Sequence, residues 1–234
     1  WFSKETGMVQ TETIGYAENK EVIARRIARF FKTGDIVNLG IGLPTLVGNY
    51  IPKGVTVILQ SENGVLGLGP SPEPGMEDKD LTNAGSLPAT ILPGGAFFDS
   101  AFSFGIIRGG HVDFTVLGVL EVDQEGNLAN YKIPGKMIPG MGGAMDLVVG
   151  AKKVIAATTH FEKSGQAKLK RSCSLPLTAA KEVDFVVTDL GVFEVQDGHF
   201  VLLEWFPPYS PEYILATSDA DIVVASDCKQ AELD

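Results

Sequence analysis

The apolar run Val55-Thr56-Val57-Ile58-Leu59-Gln60 is rich in β-branched residues, with Gly54 in front and Ser61-Glu62-Asn63-Gly64 and Gly67-Leu68-Gly69-Pro70 behind. A run this short, bounded by turn residues, predicts a buried strand ending in a turn. Similar runs recur at residues 36–39, 114–122, 153–158 and 185–188. Strands separated by helical and glycine-rich stretches predict an α/β fold, an open three-layer sandwich with a largely parallel mixed sheet. In such sheets ligand crevices form beyond the carboxyl ends of the strands, where loops diverge from a rigid base. Glu62 leaves its strand at that end. The local pattern alone leaves a second reading open, because Asn63-Gly64 is a strong tight-turn dipeptide and Ser61-Glu62 could be solvated turn chemistry.

Residues 21–31 carry Val22, Ile23, Ile27, Phe30 and Phe31 at helical spacing, with Arg25, Arg26 and Arg29 opposite. This predicts an amphipathic helix capped by Asn19 and ended by Gly34, with the arginines on a solvated face. The strand at 36–39 opens into Gly40-Ile41-Gly42, and Pro44 suits the first turn of a short helix. A glycine turn between strand and helix aims backbone N–H groups at an anion, so Gly40 and Gly42 are candidate ligand contacts; a plain tight turn is the other reading. Residues 71–80, rich in Pro, Gly and acidic groups, predict a surface loop. Gly118 breaks the run at 114–122. Residues 191–195 and 200–205 pair as a hairpin around Asp197-Gly198, and Pro207 and Pro208 end it. A short helix at 211–217 and a last strand at 221–225 follow. With no internal repeat and no linker, residues 1–234 are expected to form one domain; Trp1 to Gly7 are read as a cloning remnant or a frayed end.

At 234 residues and 44% hydrophobic, the chain can bury a sizeable core. Its net charge of -10 argues against a nucleic acid partner, which requires clustered Lys and Arg. No apolar run approaches the roughly 20 residues that span a bilayer, and no basic-then-apolar leader is present, so a cytoplasmic protein without membrane contact is expected. Cys173 and Cys228 offer neither a disulfide framework nor zinc spacing and read as buried or inert thiols. His111, His160 and His199 are scattered, so no metal site is expected.

The stretch Gln60-Ser61-Glu62-Asn63-Gly64 resembles the Ser-Glu-Asn-Gly motif found in the β chain of family I coenzyme A transferases. The similarity continues through Val37-Asn38-Leu39-Gly40-Ile41-Gly42-Leu43-Pro44-Thr45, Ile107-Arg108-Gly109-Gly110-His111, Gly126-Asn127-Leu128-Ala129-Asn130, Pro134-Gly135-Lys136-Met137, Gly140-Met141-Gly142-Gly143-Ala144-Met145-Asp146-Leu147 and Cys173-Ser174-Leu175-Pro176-Leu177-Thr178. These blocks cover most of the chain, and the nearest likeness is to the β chains of enzymes that pass coenzyme A between acetoacetate and butyrate, acetate or succinate. The resemblance implies an open sheet between helical layers. It implies Glu62 as covalent nucleophile, forming a glutamyl-CoA thioester, with Asn38 facing it and helping to hold the acyl oxygen. It further implies that the amides of Gly143 and Ala144 sit beside that thioester, and Gly142 joins Gly40 and Gly42 among the coenzyme contacts. A carboxylate is ionised at neutral pH and needs no activating base, and thioester exchange needs neither metal nor ATP. Coenzyme A is then a co-substrate, no cofactor is held permanently, and an α subunit completes the enzyme in α–β pairs. His111 and Arg108 receive no role, Arg108 being expected in a structural ion pair. The competing readings are an acyl-CoA hydrolase using the same thioester, a noncatalytic ligand-sensing domain, and a sugar-phosphate isomerase, which would want several basic groups at the glycine turns.

Overall fold

The order of elements begins with α1 (Tyr16–Ala28), β1 (Ile36–Leu39), a 3-10 helix (Leu43–Tyr50), β2 (Ile58–Ser61), β3 (Val65–Leu68), β4 (Ile91–Phe97) and α2 (Ser100–Arg108). It continues with β5 (Phe114–Gly118), β6 (Glu121–Asp123), β7 (Leu128–Ala129), α3 (Ala144–Gly150), β8 (Lys153–Ala157) and β9 (Leu169–Lys170). The last elements are β10 (Phe185–Val187), β11 (Gly191–Gln196), β12 (His199–Trp205), α4 (Pro211–Thr217) and β13 (Ile222–Gln230). This computed structural model describes residues 16–135 and 140–232. Trp1 to Gly7, and Lys136 and Met137 of the Pro134-Gly135-Lys136-Met137 block, lie outside the described residues.

Ten strands form one sheet in the order β13-β12-β11-β10-β8-β5-β1-β2-β3-β4, and β7-β6-β9 form a second. The five central strands, β10, β8, β5, β1 and β2, all pair in parallel. Antiparallel hairpins extend both flanks, and β13 returns parallel to β12. The central runs are apolar on both faces because each face is covered, as parallel sheets require. On one face Ile23 and Ile27 of α1 and Val47 of the 3-10 helix pack on Val37, Val116 and Ile155. On the other, Ile107 of α2, Leu147 and Val148 of α3 and Ile214 of α4 pack on Leu117, Val154 and Val186. The expected α/β architecture with a mixed, centrally parallel sheet is therefore the one observed.

Several boundaries differ from the sequence reading. Helix α1 starts at Tyr16, so Asn19 lies inside it rather than at its cap; nothing in Tyr16-Ala17-Glu18 opposes an extra turn. The helix ends at Ala28, before Gly34, because Phe31 turns to pack against the Phe114 ring, at 5.3 Å between centroids. Gly34 (φ 96°) serves the turn into β1, donating its N–H to the Thr56 carbonyl at 2.9 Å. The arginine face is not simply solvated: Arg26, with its side chain 14% exposed, makes a two-pronged ion pair with Glu204 at 2.6 and 3.2 Å. Strand β2 begins at Ile58, not Val55, because its ladder partner β1 begins at Ile36, directly opposite. Strand β13 runs past Ala225 to Gln230, since polar side chains are tolerated on an exposed edge strand. Strand β4 and helix α2 have no counterpart in the sequence reading. Pro93, Gly94 and Gly95 hide the strand signal in β4, which sits at the sheet edge where proline is tolerated. The hairpin, the 211–217 helix and the helix around Pro44 stand as expected, with Asp197 (φ 50°) and Gly198 (φ 78°) both left-handed in the turn.

Two buried carboxylates hold the second sheet to the loop after β9. Glu121 accepts hydrogen bonds from the Ser174 N–H and hydroxyl, both at 2.7 Å, and from the Leu175 N–H at 3.0 Å. Asp123 accepts from the N–H groups of Cys173, Glu125 and Asn127. Burial alone would push the Glu121 carboxyl upward, but these donors, with Lys170 nearby, outweigh it and hold it below its ordinary 4.5. The stability this adds is present above the unfolded value and is lost as pH falls below about 4.5 and through the folded value. Glu121→Gln should therefore be less stable than wild type at pH 7 and should lose less on acidification to pH 3, measured by urea unfolding at both pH values. Parallel acid losses in the two proteins would contradict this. A second prediction concerns the β2–β3 turn. Gly64 has φ 114°, and a Cβ there would overlap the Phe98 carbonyl oxygen, so Gly64→Ala should cost more than about 2 kcal/mol in the same assay. A loss under about 0.5 kcal/mol would show that the turn relaxes freely.

Candidate functional site

Strands β1, β2 and β5 lie side by side in parallel, so their carboxyl ends open at one edge of the sheet. Asn38 pairs across the ladder with Gln60, and two residues later the chain turns through Glu62 and Asn63 into β3. The turn is pinned on both sides: the Asn63 Nδ2 donates to the Thr82 carbonyl at 2.8 Å, and the Ser61 hydroxyl accepts the Ala84 N–H at 3.1 Å. The Phe98 N–H donates to the Gly64 carbonyl at 3.0 Å, tying the turn to the start of α2. Asp99 caps α2 by accepting the Phe102 N–H at 2.8 Å, which sets Ser103 and Phe104 over the turn.

Glu62 is half-buried, and Asn38, 1% exposed, donates its Nδ2 to the Glu62 Oε2 at 3.3 Å. Gly143 lies against the same side chain. A Cβ on Gly143 would sit 3.3 Å from the Glu62 Cγ and 3.3 Å from the Phe104 ring, tighter than most packed contacts, so a side chain there would displace one or the other. Gly143 also precedes α3 as its N-terminal cap. Its N–H makes no hydrogen bond among the described residues, whereas the Ala144 N–H donates to the Met141 carbonyl at 3.1 Å within the turn. Three positions remote in sequence, 38, 62 and 143, thus meet at one carboxylate.

Gly40, Gly42 and Gly142 lie in the turns that follow β1 and precede α3. The Gly40 N–H donates to the Val116 carbonyl at 2.8 Å, and a Cβ there would approach that oxygen to 3.0 Å, so its bare backbone is needed for close packing of β1 on β5. Gly42 (φ 87°) starts the 3-10 helix, and its carbonyl accepts the Thr45 hydroxyl at 2.6 Å. Gly142 (φ 52°) precedes Gly143 in the same loop. Arg108 is in the expected ion pair, with Asp146 of α3 at 2.6 Å. His160, fully buried, bonds Ser218 and Thr188, and burial lowers it to about 3, keeping the ring neutral. Burial pushes the Cys173 and Cys228 thiols upward, which keeps them protonated. Among the described residues no three His, Cys, Asp or Glu side chains gather where they could hold a metal, and no helix is long and apolar enough to cross a membrane.

Of two cavities, one borders this region and the other lies at the amino ends of β8 and β10. One of about 640 Å³ lies on the α1 side, lined by Leu39, Leu46 and Leu59 and reaching Ser61 and Ala84. Another, of about 410 Å³, is lined by charged groups including Lys152, Lys181 and Glu125, and does not include Glu62. Gln60 and Ser103, which support Asn38 from below, were not singled out as site residues in the sequence. For Ser103 the Asp99 capping signal could have placed an inward-facing hydroxyl.

Residues 20–214 match the family model described as coenzyme A transferase. The chain is 58% identical over 214 residues to the β subunit of an acetate CoA-transferase from Haemophilus influenzae, covering 92% of this chain and 96% of that one. It is 50% identical over 208 residues to one subunit of a probable succinyl-CoA:3-ketoacid coenzyme A transferase from Bacillus subtilis, covering 89% and 96%. Among solved structures, an acyl-CoA transferase apoenzyme from Escherichia coli superposes with a TM-score of 0.73 at 23% identity, over 92% of this chain and 43% of that one, which bears on the fold alone. A family match across most of the length, together with relatives at half or more identity, shows that this chain belongs to the coenzyme A transferase family.

Proposed function

We propose that this chain is the β half of a coenzyme A transferase, and that Glu62 is the nucleophile through which the coenzyme passes between two short-chain acids. The observation that carries the reading is the convergence of Asn38 and Gly143 on the Glu62 carboxylate. In the proposed cycle a Glu62 oxygen attacks the carbonyl carbon of an acyl-CoA. The carbon–sulfur bond breaks, giving an acyl-glutamyl anhydride and the coenzyme thiolate. The thiolate then attacks the glutamyl carbonyl, forming a glutamyl thioester and releasing the first acid as its carboxylate. A second carboxylate enters and the steps run in reverse. Atoms and charge balance without water, metal or ATP.

Each attack places negative charge on a carbonyl oxygen, which fixed donors stabilise; removal of one typically costs about 3 kcal/mol. The Asn38 amide and the Gly143 N–H, unengaged among the described residues, are the donors at hand, while the Ala144 N–H must first leave Met141 to take part. A bare glycine at 143 lets this backbone approach the glutamyl group closely. The names of the relatives support an α partner and acids of the acetate or 3-oxo acid class. Coenzyme A is treated as a co-substrate, and no step needs a resident cofactor.

The test uses the assembled complex with an α subunit. After acyl-CoA and borohydride, mass spectrometry should find the peptide containing Glu62 reduced at that side chain; an unmodified Glu62 with label elsewhere would remove it as nucleophile. Glu62→Gln should lower initial turnover by more than about 10³-fold, with return to glutamate excluded by mass. Gly143→Ala, at a φ of -83° that any residue adopts, should change stability by less than about 1 kcal/mol and lower kcat about tenfold or more. Native kcat in that variant would show that contact with Glu62 is not needed.

A further inference from the structure

Asn38 does not hold its orientation alone. An amide nitrogen carries two hydrogens, yet the Asn38 Nδ2 has three oxygens in reach: the Gln60 Oε1 at 2.8 Å, the Gln60 main-chain carbonyl at 3.2 Å and the Glu62 Oε2 at 3.3 Å. The shortest bond takes one hydrogen, and the second is shared between the Gln60 carbonyl and Glu62. Asn38 Oδ1 is buried without a hydrogen-bond partner among the described residues, as is the hydroxyl of Thr115, its ladder neighbour on β5. Nothing among the described residues anchors the amide on that side, so its direction is decided by the acceptors around Nδ2, of which the Gln60 Oε1 is the nearest.

Gln60 is in turn fixed from α2. Its Nε2 donates to the Ser103 hydroxyl at 3.0 Å while its Oε1 accepts from Asn38, so both ends of the Gln60 amide are engaged and its plane is held. All three side chains are at most 2% exposed, so water does not substitute for a missing partner. If the Gln60 amide turned over, its NH2 would face the Asn38 NH2. Asn38 could then relieve the clash only by turning its own oxygen toward the Glu62 carboxylate, acceptor against acceptor. We propose that Gln60 and Ser103 are positioning residues: the chain Ser103, Gln60, Asn38 holds the Asn38 amide at the place and in the plane where its NH2 meets Glu62, so that a donor awaits the oxygen on which charge develops. This inference rests on the reading of Glu62 as nucleophile.

The assembled complex is tested with Gln60→Met, which keeps the length of the side chain and removes both polar ends, and with Ser103→Ala and Ser103→Thr. Gln60→Met is expected to lower kcat and the single-turnover rate of Glu62 thioester formation together, by about 10- to 100-fold, with KM for acyl-CoA within about threefold. Ser103→Ala should lower both rates about 3- to 10-fold, and Ser103→Thr, which restores the hydroxyl, should recover most of the loss. Thioester formation within about twofold of wild type in Gln60→Met, or a loss confined to KM or to melting temperature, overturns the proposal. If Gln60→Met does not assemble, the serine pair decides: equal rates in Ser103→Ala and wild type, or no difference between Ala and Thr, overturn it. Glu62→Gln is run alongside. Retained turnover there, or no label on Glu62, would sink the nucleophile itself, whereas a labelled Glu62 with an unaffected Gln60→Met removes only the relay.

Discussion

The in-register parallel pairing of β1 with β2 is the contact from which the site is built. It puts Asn38 beside Gln60 on one face of the sheet and brings the ends of both strands out at the same edge. In a parallel pair, neighbours in register project to the same face, so the two amides meet without any loop having to adjust. The chain then has only three residues, Glu62 to Gly64, in which to turn toward β3, and the carboxylate falls within reach of the amide it has just passed. Helix α2 closes the arrangement by supplying Ser103 below and the Phe104 ring beside.

Burying three amide and hydroxyl side chains under a sheet is costly unless their groups are paired. Here most of the polarity is used, and the one amide atom left over, Asn38 Oδ1, is without a partner among the described residues. The same principle operates at the second sheet, where Glu121 and Asp123 are buried and gather main-chain N–H groups from the loop after β9. In that case the polar network secures a connection between elements. The two carboxylates differ in how they are held: Glu121 has three donors locking its oxygens, and among the described residues Glu62 has a shared hydrogen from Asn38.

Short β-branched runs closed by glycine made the central strands legible, because a buried parallel strand must be apolar on both faces and must end where the backbone turns. Asp197-Gly198 announced its turn for an equally local reason, a left-handed requirement, and the 211–217 helix is opened by the Ser210 hydroxyl accepting the Tyr213 N–H. Strand β4 was opaque because it pairs at the sheet edge with a proline and two glycines inside it, and no local pattern distinguishes that from a loop. The arginines of α1 read as a solvated face because periodicity shows which side of a helix is polar and not what that side meets; Glu204 lies 178 residues away.

What the chain order determined by itself was the presence of a carboxylate at the end of a strand, an asparagine at the end of another, and glycines where backbone must come close, since each is a local property of a strand and its turn. That Asn38, Glu62 and Gly143 share one point was settled only by folding, because strand order and register are long-range choices made when both faces of the sheet are buried. The Ser103 to Gln60 bond belongs wholly to the tertiary structure: it spans 43 residues and exists because α2 packs across the end of β2 and sets a hydroxyl against a buried amide.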